Sequence, residues 1–142
     1  MGGLEREIII GVNSDIDDDH HVLMIDYDDR LSYETLKLEI VSLQERFNLG
    51  KAWIIETSYK HYSVFFFEDI FNYWRCLEII HSTSSDPKFK RARMIYHYMT
   101  IRISKKGNKQ IPKLLEILPS KNAKCMNNNQ NIFMNEVLKC LK

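Results

Sequence analysis

A change of hydrophobic period along the first two thirds of the chain constrains the fold most. Residues 20–27 form a short run rich in Val, Leu, Met and Ile, preceded by the acidic stretch 15–19, and they predict a strand with Asp28 at its end. Leu36, Ile40, Leu43 and Phe47 then recur at helical spacing, with Ser32 as cap, Glu34 in the first turn and Gly50 as the stop. Residues 52–57 and 62–67 read as two more strands, separated by a polar step at 58–61 that suits a hairpin. Ile70, Tyr73, Trp74, Leu77 and Ile80 make a second helical stripe over 69–81, which the polar 82–87 stretch ends. After a basic stretch at 88–93, residues 98–104 alternate as a fourth strand, with Met99, Ile101 and Ile103 opposite Thr100, Arg102 and Ser104.

The resulting βαββαβ order predicts an α/β (α+β) domain: a four-stranded antiparallel sheet with two helices on one face and the other face left for function. It resembles the RRM-like or ferredoxin-like arrangement. Residues 1–110 are assigned to this domain and 111–142 to a C-terminal extension of short helices, with Pro112, Pro119, a polar run at 127–131 and a loosely attached amphipathic segment at 132–141. A chain of 142 residues has room for one domain, and 44% hydrophobic with 27% charged residues excludes a fully disordered chain. No apolar run approaches the roughly 18 residues of a membrane span, and the first 15 residues lack a signal-peptide pattern. The expected location is cytoplasmic, or host cytoplasm for a virus- or plasmid-encoded protein. Three cysteines without a CxxC pair argue against a disulfide framework or a thiolate zinc site.

The net charge of +1 hides a division, because residues 1–50 carry 12 acids and 4 bases while 51–142 carry 7 and 16. Such a chain can hold a cation on one part and a polyanion on the other. Asp26 and Asp28 lie two apart on the first predicted strand, so both project from one face and can present carboxylates to magnesium or manganese. The predicted hairpin gathers Ser58, Lys60 and His61, groups suited to a triphosphate. Between Asp86 and Lys113 stand nine basic residues and one acid; Arg91, Arg93, Lys105, Lys106 and Lys109 are candidate phosphate-backbone contacts, and Arg102 is turned onto the sheet. Tyr27, Tyr59, Tyr62, Phe65 and Phe67 are candidate base-stacking side chains, in competition with core packing. Nucleophile-elbow, Walker A, zinc-finger and Rossmann patterns are absent.

Over about 20–110 the sequence resembles a small relative of the archaeal-eukaryotic primase and primase-polymerase superfamily. His21-Val22-Leu23-Met24-Ile25-Asp26-Tyr27-Asp28 is similar to its first acidic motif, and Glu56 through Phe66 to the segment with its nucleotide-binding motif. Thr100-Ile101-Arg102-Ile103-Ser104-Lys105-Lys106 is similar to a later basic strand in some relatives. The resemblance implies metal binding at Asp26 and Asp28, triphosphate binding at Ser58 and a phosphate role for Arg102. It places His61 where the family has glycine and Ser63 where the family has its histidine, and no third acid matches near Ile101–Ser104. The implied function is a metal-dependent nucleotide-binding protein related to primases, carrying out nucleotidyl transfer in primer synthesis during DNA replication, with a nucleoside triphosphate as substrate or ligand. The alternative is a noncatalytic RRM-like module that binds single-stranded DNA or RNA, or a replication accessory protein with a protein partner.

Overall fold

In the computed structural model, which describes residues 10–141, the chain forms a mixed α/β fold with two antiparallel sheets and four helices. In order these are β1 (Gly11–Asn13), β2 (His21–Tyr27), α1 (Tyr33–Phe47), β3 (Ala52–Ser58), β4 (His61–Phe71), α2 (Tyr73–His81), α3 (Pro87–Ile95), β5 (Thr100–Arg102), β6 (Lys113–Leu118) and α4 (Asn128–Leu138). The larger sheet has the order β2-β4-β3-β6, and β1 pairs with β5 in a separate two-stranded ribbon.

Strands β2 and β3 both run antiparallel to β4, which lies between them, so β2–α1–β3 is a crossover with a strand inserted. The register pairs Asp26 with Ser63 and Tyr27 with Tyr62. Alternation along β4 then sorts Tyr62, Val64 and Phe66 to one face and Ser63, Phe65 and Phe67 to the other. Helix α1 covers the first face, where the Tyr33 and Tyr62 rings sit 5.4 Å apart, and buries Leu36, Ile40 and Leu43. The Ser32 hydroxyl caps α1 as its sequence predicts, but the helix stops at Asn48, in the left-handed region, rather than at Gly50. After α2, the Ser84 N–H donates to Glu39 Oε1 at 3.0 Å and holds that connection to α1.

The opposite face is not left open. Phe133 of α4 packs on Phe67 at 6.0 Å between ring centroids, the Gln130 amide donates to the Phe67 carbonyl at 3.0 Å, and Val137 is fully buried. A reciprocal capping box between Asn127 and Gln130 starts α4. The last helix is therefore part of the core rather than a loosely attached segment.

The expected fourth strand also pairs elsewhere. β5 is only three residues long and its partner is β1, while the edge beside β3 is taken by β6, with Ala52 opposite Leu118 and Glu56 opposite Lys113. Each buried strand edge must satisfy its backbone groups, and residues 113–118 do this for β3. The 111–142 extension thus contributes a strand as well as a helix. The ribbon is tied to β2 through Ser14: its N–H donates to the Met99 carbonyl at 2.9 Å, and its carbonyl accepts from Val22 N–H at 2.9 Å.

Two further boundaries differ from the sequence expectation. Residues 69–71 complete β4, where the buried Asp69 carboxylate accepts from Gly50 N–H at 2.8 Å and from Lys124, so α2 begins only after the Asn72 cap. The basic stretch is helical because Asp86 caps α3 and Pro87 occupies its first turn, a preorganised start.

Candidate functional site

The C-terminal end of β2, the β3–β4 turn, the start of α3 and strand β5 enclose a cleft of about 260 Å3. It is lined by Asp26, Ser58, His61, Asp86, Arg102 and Lys109, with Ser63 and three β3 and β5 residues completing the wall. The two-residue step Tyr59–Lys60 lets the chain reverse, with Lys60 at φ 60°, and this brings Ser58 and His61 opposite each other in the register. Lys60 itself is turned out of the cleft, its ammonium 5.3 Å from the exposed Tyr59 ring. Lys109 reaches the wall from a tight turn at Gly107, whose φ of 55° suits glycine, closed by Lys109 N–H donating to the Lys106 carbonyl at 2.8 Å. The Arg102 guanidinium donates to the carbonyls of Thr57 and Ser104, which fixes the ribbon against the end of β3.

The two candidate metal ligands are held in different ways. Asp26 Oδ1 accepts from the Ser63 hydroxyl at 2.9 Å, and the Asp26 carbonyl accepts from Asp86 N–H at 2.9 Å. Burial pushes the Asp26 carboxyl up to about 6; the Ser63 bond and His61 oppose the rise, and Asp86 and Asp28 add to it. Burial would also raise Asp28, but the Arg30 guanidinium, 2.8 Å from Oδ2, and the Arg30 backbone N–H hold it below the ordinary carboxylate range.

Among the described residues, no group of three or more His, Cys, Asp or Glu side chains comes together to hold a metal ion. The residues present do not fit a resident magnesium or manganese: one carboxylate bonds a hydroxyl, the next forms an ion pair, and no third ligand joins them. This overturns the expectation of a metal-dependent nucleotidyl-transfer protein acting on nucleoside triphosphates, together with metal roles for Asp26 and Asp28.

The basic residues divide by environment. Arg91, Lys105, Lys106 and Lys109 are exposed. Arg93 is buried: it donates to the Tyr98 carbonyl at 2.5 Å and lies 4.8 Å from the Phe89 ring centroid, so its charge is turned into the protein. The aromatic side chains expected to stack on bases are also inside, with Tyr27, Phe65 and Phe67 almost wholly buried, Tyr62 nearly so, and Tyr59 alone exposed. The exposed aromatic surface lies instead at Trp74, Tyr96, His97 and Tyr98; sequence periodicity places Trp74 in a core stripe and Tyr98 in the fourth strand and leaves Tyr96 and His97 unassigned. Asp86–Pro87 is a readable helix start, and α3 ends at Ile95, which leaves three consecutive ring side chains on its exit.

No protein-family model, curated protein or solved structure matches the chain. Among the described residues no helix is long and apolar enough to cross a membrane.

Proposed function

We propose that the chain is a noncatalytic, RRM-like module that binds single-stranded nucleic acid. The observation that carries this reading is the 86–113 segment, with nine basic residues against one acid, which displays Lys105, Lys106 and Lys109 on an exposed turn. Lys109 lies on the wall of a cleft rich in hydroxyls. Lysines presented in this way are point charges for phosphodiester groups and carry no base preference of their own. The inserted-strand crossover β2–α1–β3 with β4 supports the RRM-like comparison.

Fluorescence anisotropy with a labelled single-stranded oligonucleotide over a salt series tests the proposal. Each phosphate neutralised contributes about 0.7 to the slope of log K against log salt for single strands. The triple variant K105A/K106A/K109A is expected to bind more weakly and to reduce that slope by up to about 2. Absence of binding by the wild-type protein, or an unchanged slope in the variant, refutes it.

A further inference from the structure

Beyond the basic turn, a second surface stands out, at the far end of α3. Four consecutive residues there, Met94 (67% exposed), Ile95 (73%), Tyr96 (53%) and His97, present large side chains to solvent, and Trp74 of α2 adds a ring that is 67% exposed. Their backbone is fixed from below. The Tyr73 hydroxyl shares its one proton between the carbonyls of Arg93 and Tyr96, the latter at 2.6 Å, and the buried Arg93 guanidinium holds the Tyr98 carbonyl. The rings are ordered against one another: Tyr73 stacks on His97 at 5.6 Å, Trp74 lies 5.9 Å from His97, and Tyr96 lies 6.0 Å from Tyr98. Fixing the backbone and packing the rings on one another lowers the ordering cost a ligand has to meet on binding.

Charge decides what kind of ligand fits. Lys88, Arg91 and Ile95 share one exposed face of α3 at helical spacing, and the helix itself carries no acid. That face starts beside the cleft, where Asp86 is both cap and wall, and ends at Tyr96. A helix of 9 residues is about 14 Å long, so a few nucleotides suffice to join the two ends. On the other flank, Asp15, Asp17 and Asp18 border a separate cleft with His97 and Tyr98, which repels phosphate from that side.

Resting on the nucleic-acid-binding reading above, we infer that Trp74, beside His97, and Tyr96, beside Tyr98, form a two-part base-stacking platform for single-stranded nucleic acid whose phosphates run along α3 on Lys88 and Arg91. Stacking on rings tolerates any base, because every base has a π-face, and cations beside the platform take up the backbone.

The test compares an oligothymidylate with an abasic sugar-phosphate oligomer of equal length, using the wild-type protein and W74A/Y96A, with circular dichroism to establish that both are folded. The wild-type protein is expected to bind the oligothymidylate at least about tenfold more tightly than the abasic strand. W74A/Y96A is expected to lose that preference while keeping the wild-type affinity for the abasic strand. R91A is expected to weaken binding to both strands, and D15N/D17N/D18N to leave binding unchanged or tighten it. Equal wild-type affinity for the two oligomers, with salt dependence intact, overturns the platform and leaves the phosphate reading standing; no binding to either removes both. If W74A/Y96A instead converts a dimer to a monomer in sedimentation without altering the base preference, the surface covers a second copy of the chain and the inference is overturned.

Discussion

Replacing Asp26 by Asn (D26N) is expected to stabilise the protein, and to do so only above a definite pH. The Asp26 carboxyl titrates at about 6 in the folded protein against an ordinary value of 3.8, chiefly through burial. Between those values the folded state keeps a proton that the unfolded chain has released, so stability falls as pH rises through the window, and the loss is complete above about pH 6. At 1.36 kcal/mol per pKa unit the displacement corresponds to about 3 kcal/mol. Asn stays neutral and its amide oxygen still accepts from Ser63 across the β2–β4 register. The groups facing the site, Asp28, Ser58, His61, Ser63, Asp86, Arg93, Arg102 and Lys109, are common to both proteins. Burial lowers the His21 pKa, which makes stability rise with pH, but that contribution is shared and cancels in the difference. Thermal melts of both proteins should coincide below pH 4 and separate by roughly 10 °C above pH 6.5. A difference that is independent of pH, or a variant less stable at pH 7, refutes the reasoning.

Two other perturbations probe the core. Phe133→Ala removes the ring that α4 places on Phe67; a loss of about 3 to 5 kcal/mol in urea unfolding, with increased binding of an apolar dye, is expected, and a loss below about 1 kcal/mol contradicts the covered face. Among the thiols, exposed Cys125 should react first with a disulfide reagent at pH 8, while Cys76, buried and pushed up to about 12, should react only when the protein unfolds; equal native rates refute this.

The elements legible in the sequence are those whose residues repeat with one clear period. Leu36, Ile40 and Leu43 point into the core at helical spacing, and β3 occupies nearly its predicted range, while β4 contains its predicted residues 62–67 but runs on to Phe71. β6 was missed because Leu114, Leu115, Ile117 and Leu118 put apolar side chains on both faces of the strand, a pattern without two-fold alternation. Its pairing with β3 is a long-range choice that no local window contains. The same limit applies to the site. Asp26, Ser58, His61 and Arg102 were selected from separate segments and do line one cleft, whereas the inward turn of Arg93 depends on Tyr98, which lies outside its helix. The run Phe65-Phe66-Phe67 shows the reverse case: alternation correctly divides it between two faces, but only α4, far along the chain, makes both faces interior.

The β3–β6 ladder also sets the order in which the sheet can be assembled. β3 meets β4 across a two-residue turn, but Ala52 has to find Leu118 and Glu56 has to find Lys113, contacts that close most of the second half of the chain into a loop. Such closures come late, because their entropy is lost before their bonds reward it. As the chain leaves the ribosome, β3 therefore remains an open edge until β6 has been synthesised, with the backbone groups around Trp53 and Ile55 available to any neighbouring strand. In this protein the last strand closes an edge rather than starting the fold, and β3 is shielded from other copies only once β6 has docked.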